Sequence, residues 1–141
     1  MEGQDARVSR LGRLVQPARA HAQYNVYFGR GRDGYDVRGR TAHESLFNVV
    51  NGTYRGPSTQ QGYSPFSTWM RGLAWAMCGF AEQLEFIETV ADEDLAATGG
   101  RRSTESMMRK AACDACDFYI GHTAADGIPY WDAGAPHLHR L

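Results

Sequence analysis

The chain has 141 residues, 43% of them apolar, and a formal net charge of -1. That length allows one globular domain at most. The balanced charge excludes a general pull toward nucleic acid or an anionic membrane, and no apolar run approaches the roughly 20 residues a spanning helix needs. Met1 to Arg19 holds no secretory apolar core, so the chain as written reads as cytoplasmic. An export signal lost upstream would change that reading.

Ala6 to Phe28 reads as mainly helical, with Val8, Leu11, Leu14, Val15, Ala18 and Ala22 forming one apolar stripe. Pro17 interrupts the amide ladder, so it either kinks this helix or opens a second one that runs to about Tyr27. Gly29 to Arg40 holds four Gly, four Arg and two Asp and reads as an irregular loop. Leu46, Phe47, Val49 and Val50 then suit an extended run, and Asn51-Gly52 is a tight-turn signal. A short β-hairpin is expected, with Thr53 and Tyr54 opening the return strand and Gly56-Pro57 stopping it. Such a hairpin in a helical chain belongs to a long loop at one end of a bundle, where a site is built.

Ser67 is the expected N-cap of a helix reaching about Val90, with Met70, Leu73, Met77, Phe80, Leu84 and Ile87 on its buried stripe and Glu82, Glu85 and Glu88 on its wet side. Ala91 to Arg102 reads as a connection. Ser103 or Thr104 caps a last helix that buries Met108, Ala111, Ala112, Ala115, Phe118 and Tyr119 and ends at Gly121. Three cysteines make an odd set for a disulfide framework. Cys113 and Cys116, amid alanines and without a second Cys pair, read as small core or interhelical packing residues in preference to a redox or zinc pair, and Cys78 reads as core. His21, His122, His137 and His139 show no partner pattern, the last two reading as solvated.

Chemistry concentrates in Gln61-Gly62-Tyr63-Ser64-Pro65-Phe66-Ser67-Thr68-Trp69-Met70-Arg71-Gly72-Leu73-Ala74-Trp75. Arg71 and Trp75 are four apart and share a helix face. A guanidinium can grip a carboxylate with two parallel hydrogen bonds while an indole covers a sugar ring. On spacing alone, a structural cation–π pair at a helix start explains the same residues. Gln61 offers a donor and an acceptor to a hydroxyl or a water. Trp69 offers a stacking face or, alternatively, core packing. His43-Glu44 lacks the second His of a helical zinc motif, so no metal is expected there.

This string resembles the unsaturated glucuronyl hydrolases (glycoside hydrolase family 88). Asp126-Gly127-Ile128-Pro129-Tyr130-Trp131-Asp132, with Ala135-Pro136 after it, resembles the same family's later loop. The two stretches fall in the family's order, with a weaker match around His43. The resemblance implies an all-α fold: a partial (α/α)6 toroid of about four helices with a short β-hairpin in a long loop. Six helical hairpins need well over twice this length at about 1.5 Å per helical residue. Residues 1–141 are therefore expected to form a single incomplete domain, a fragment or a truncated reading frame. Its cut faces should leave exposed apolar surface and favour self-association.

The resemblance also implies a glycosidase-type hydrolase acting on the unsaturated uronic acid that a polysaccharide lyase leaves at the non-reducing end of an oligosaccharide. The C4–C5 double bond is hydrated: an acid protonates C4, water adds at C5, and the hemiketal collapses. No cofactor is implied. Substrate-binding roles carry over to His43, Gln61, Trp69, Arg71 and Trp75. The family's acidic aspartates lie on helices upstream of the histidine, without a counterpart here, so the catalytic acid is unassigned and the chain alone is expected to be inactive. Asp33, Asp36 and Asp126 do not stand in the acid position, and Asp132 is the least remote stand-in. Trp131 and Asp132 either shape the pocket or brace neighbouring loops. A non-catalytic carbohydrate-binding or structural helical remnant, and a rhamnogalacturonyl hydrolase-like fragment, are the alternatives.

Overall fold

The computed structural model describes residues 9–138. In order, the elements are α1 (Arg10–Tyr24), β1 (Glu44–Phe47), β2 (Tyr54–Ser58), α2 (Met70–Glu88), α3 (Asp92–Ala96) and α4 (Arg101–Gly121). The chain is therefore mostly helical, with one two-stranded hairpin. The expected helical start at Ala6 to Val8 and the histidine His139 lie outside the described residues.

The Ser9 hydroxyl caps α1 by accepting the Gly12 N–H at 3.0 Å. Val15, Ala18 and Ala22 form its buried line, as the stripe predicts. Pro17 lies within one continuous helix and on its exposed side, so it opens no second helix. The helix ends before the expected Tyr27 because Arg32 caps its last turn. The Arg32 guanidinium donates to the carbonyls of Gln23, Tyr24 and Val26.

The Gly29–Arg40 loop is built from polar contacts. Asp36 accepts the N–H groups of Gly29, Arg30 and Arg32. Tyr27 is fully buried, with the Arg32 and Arg40 guanidinium carbons over its ring at 4.3 and 3.9 Å. Burial, offset in part by the Arg40 charge, pushes its phenol up to about 12. Arg40, also buried, donates to the carbonyls of Tyr35 (2.8 Å) and Ser67 (3.0 Å). It thus ties this loop to the segment ahead of α2.

The hairpin is antiparallel, pairing Glu44 with Ser58, Ser45 with Pro57, Leu46 with Gly56 and Phe47 with Tyr54. Two expectations are corrected. Val49 and Val50 lie in the turn, fully or nearly fully exposed. Gly56-Pro57 continues β2 instead of stopping it, because a two-stranded sheet gives proline an outer edge where no ladder N–H is needed. Tyr24, Phe47 and Tyr54 cluster at centroid distances of 4.9 to 5.7 Å and hold the hairpin against the end of α1.

Helices α2 and α4 run antiparallel. Met70 and Leu73 at the start of α2 meet Ala115 and Phe118 near the end of α4, and Arg101 at the start of α4 donates to the Ile87 carbonyl at 2.9 Å. A second cluster joins Val15, Ala18 and Ala22 of α1 to Phe80, Ile87, Leu95, Met108 and Ala111. The connection after α2 contains the short helix α3, whose Leu95 is fully buried. Helix α4 starts ahead of Ser103, with Gly100 at its N-cap at φ 83. Arg101 is held there by Asp92, Glu105 and backbone carbonyls. The cysteines are also corrected: Cys78, Cys113 and Cys116 are free and exposed. Among the described residues no helix is long and apolar enough to cross a membrane.

Candidate functional site

The two motif-bearing stretches, far apart in the sequence, are stitched together at the start of α2. Ser67 does not cap this helix; its hydroxyl pairs with the Ser64 backbone, and Trp69 occupies the N-cap with no side-chain bond. The first free helical donor, the Met70 N–H, is instead taken by the Trp131 carbonyl at 3.1 Å. Trp69 and Asp132 form an isolated antiparallel bridge, and the Ala133 N–H donates to the Thr68 carbonyl at 2.9 Å.

Asp132 is fully buried. One carboxylate oxygen accepts the Tyr63 N–H and the other the Gly134 N–H, both at 2.8 Å. Of the two roles open to it, it takes bracing in this structure. Gly62 fits this corner because a Cβ there would stand 2.8 Å from the Thr59 hydroxyl and 3.0 Å from Asp132. Asp33, Asp36 and Asp126 each accept local N–H groups as well.

His43 sits just ahead of β1, half-buried. Its Nδ1 accepts the Gln60 N–H at 3.2 Å and lies 3.2 Å from the Thr59 hydroxyl, with the Gln61 N–H at 3.5 Å. An acceptor at Nδ1 places the proton of a neutral imidazole on Nε2, which is then a donor. Gln61 is exposed, and its side-chain amide makes no hydrogen bond among the described residues, whereas its backbone is tied to His43 and to the Trp131 indole.

Trp69, open in sequence to a stacking face or to core packing, is only 5% exposed. Its ring packs against His43 at 4.7 Å and meets Trp75 edge-on at 5.5 Å. Gly72 makes room for it: a Cβ there would come within 2.8 Å of the indole. Trp69 thus holds its neighbours in place. Arg71 lies over the Trp69 ring at 5.7 Å, so the recorded cation–π partner is Trp69 and not Trp75. The Arg71 side chain is exposed and makes no hydrogen bond or ion pair among the described residues. Trp75 is 63% exposed, so it can present a ring face.

Trp75 and His43 border a cavity of about 410 Å3 between α1 and α2, which also meets His21, Asn25, Thr41 and Gln83. Two larger clefts along α1 contain none of the expected site residues. Among the described residues no group of three or more His, Cys, Asp and Glu is placed to hold a metal ion.

The structure therefore gathers His43, Gln61, Trp69, Arg71 and Trp75 around one corner. Sequence reasoning missed how Trp131 joins them through its indole N–H. The only sequence signal was the second motif itself, which says nothing about which first-motif carbonyl it meets. An open guanidinium, an open indole, an imidazole donor and a free amide together suit a ring-shaped ligand carrying both hydroxyls and a carboxylate.

No protein-family model matches the chain. It is 31% identical over 102 residues to an unsaturated glucuronyl hydrolase of Formosa agariphila, an alignment covering 67% of this chain and 21% of that protein. It is 29% identical over 120 residues to an unsaturated glucuronyl hydrolase of Bacillus sp. strain GL1, covering 84% of this chain and 26% of that one. Among solved structures, a UGL variant with dGlcA-Glc-Rha-Glc aligns with a TM-score of 0.54 at 24% identity, over 84% of this chain and 25% of that one. The Bacillus sp. GL1 unsaturated glucuronyl hydrolase, described as responsible for the degradation of glycosaminoglycan, aligns at 0.53 with the same identity and coverage. The chain spans about a quarter of the length of these relatives, and at this identity the structural likeness speaks for the fold: a partial (α/α)6 toroid.

Proposed function

We propose, from the family-level relationship of this chain to the unsaturated glucuronyl hydrolases, that the corner at the start of α2 binds an unsaturated uronic acid at the non-reducing end of an oligosaccharide. The observation that carries this reading is Arg71: an exposed guanidinium without a hydrogen bond or ion pair among the described residues, one helical turn from the open indole of Trp75. Arg71 would grip the uronate carboxylate in a bidentate fork. Trp75 would cover the ring, and Nε2 of His43 and the Gln61 amide would reach hydroxyls or a water.

Hydration of the C4–C5 double bond needs a carboxylic acid that donates a proton to C4 and later takes one from water. Asp132, with both oxygens on backbone donors, is not assigned that part. The reaction belongs to the proposal only for an assembly that adds such an acid to this corner. The expected behaviour of the chain itself is binding without turnover.

Isothermal titration of the chain with a lyase-generated unsaturated uronyl disaccharide tests the reading. Saturable heat is expected, weaker for a neutral disaccharide of the same size. Arg71→Lys should reduce affinity by roughly 1–3 kcal/mol, because a point charge replaces the fork. No heat at millimolar sugar would leave a structural helical module.

A further inference from the structure

Trp131 is a further feature of this corner, and its geometry is unusual for an aromatic residue on a loop. The indole Nε1–H donates to the Gln61 carbonyl at 3.0 Å, yet the residue is 57% exposed. Its one polar atom is thus satisfied internally, and the surface left to solvent is aromatic carbon. The backbone is equally constrained: the Trp131 carbonyl accepts the Met70 N–H at 3.1 Å, and the next residue, Asp132, bridges Trp69 and is fully buried. An exposed ring held at its nitrogen and along its main chain loses little freedom when something flat lies on it.

We infer that Trp131 is a stacking platform for the second sugar of the oligosaccharide, the one bearing the unsaturated uronic acid as its substituent. The inference rests on the uronyl-binding reading above and adds a separate subsite to it. Gln61 is the link. Its N–H points to His43 and its carbonyl to the Trp131 indole, so the residue that would meet the uronate also fixes the platform beside it. Trp75 and Trp131 are the two open indoles of this corner, at 63% and 57% exposure, and the buried Trp69 takes no part in stacking. With Arg71 and Trp75 assigned to the acidic ring, Trp131 remains to meet the next ring through its C–H face. That contact selects for a pyranose behind the uronate without reading its hydroxyls. Trp131 is therefore a residue that determines chain length preference, not a catalytic one.

The test compares two probes on the full chain by isothermal titration: an unsaturated uronyl disaccharide, and the methyl glycoside of the same unsaturated uronic acid. Wild-type chain is expected to prefer the disaccharide. Trp131→Ala should weaken disaccharide binding by about tenfold, the scale of one aromatic stacking contact, and leave the methyl glycoside unchanged. Trp131→Phe, which keeps a flat but smaller ring and loses the pyrrole half of the indole with its N–H, should retain disaccharide affinity to within about threefold. Equal weakening of both probes by Trp131→Ala would mean that the indole only braces Gln61, and would overturn the platform. So would equal wild-type affinity for the two probes, or no effect of either variant. In each of these cases the uronyl-binding reading survives. Wild-type chain that binds neither probe removes both.

Discussion

Asp132 and Asp114 show how buried carboxylates serve architecture in this chain. Asp132 accepts one backbone N–H on each oxygen while fully out of solvent. Asp132→Asn would set an amide NH2 against one of those N–H groups, and a loss of about 1–3 kcal/mol is expected. Urea denaturation checks it, and an unchanged midpoint would contradict the bracing role. Asp114 is 2% exposed on α4 and paired with Arg38 at 2.7 Å and Lys110 at 2.6 Å. Burial by itself would raise its carboxyl, but the hydrogen bonds from Arg38 and Lys110 prevail and hold it below the ordinary aspartate value. A depressed native pKa means that the unfolded chain takes up the proton first as pH falls. The stabilisation is complete above the usual aspartate pKa of about 4 and is lost as pH drops through the native value. Thermal melts between pH 7 and pH 3 should therefore show a smaller decline for Asp114→Asn than for wild type. Parallel declines would refute the linkage.

The loop from Gly29 to Arg40 approaches helix α4 closely at Gly39, beside the Arg38–Asp114 pair. Gly39 has φ 83, and a Cβ there would lie 1.9 Å from the Asp114 carbonyl oxygen and 2.7 Å from the Phe118 Cβ. Neither neighbour is a flexible tip, so the loop would have to lift. Gly39→Ala should cost at least about 2 kcal/mol, and it should also release the Arg38–Asp114 pair. A melting temperature within a degree of wild type would show that the loop adapts. The same logic explains which element boundaries were readable. The stripes of α1, α2 and α4 appear in sequence because they depend on helical spacing alone. The start of α2 was misread because a hydroxyl at Ser67 is a local signal, whereas the actual cap is a carbonyl from Trp131 on a distant loop. Gly56-Pro57 was misread for a related reason: whether a proline stops a strand depends on how many strands flank it.

Trp75 and Phe86 on α2, Ile120 on α4 and Val49 and Val50 at the hairpin tip are large apolar side chains open to solvent. They are spread over elements whose counterparts in the relatives make up about a quarter of a larger ring. Helices of such a ring normally meet further helices, so concentration-dependent self-association is expected of the 141-residue chain. Sedimentation velocity across a hundredfold dilution would reveal it. A single monomeric species throughout would mean that these side chains are tolerated in water.

The order of residues alone determined the helical class, the hairpin around Asn51-Gly52, the apolar face of each long helix and the two stretches that resemble one family. All of these depend on neighbours within one or two turns, or on strings of residues kept in order. Tertiary structure decided that the second stretch caps the helix of the first, that Trp69 is buried and Arg71 rests on it, that Asp132 braces and Trp131 stands open beside Gln61, and that all three cysteines face solvent. The physical reason is hydrogen-bond satisfaction: buried backbone donors need acceptors, and here the acceptors at Asp132 and Trp131 lie far along the chain from Tyr63 and Met70, where no local pattern can point.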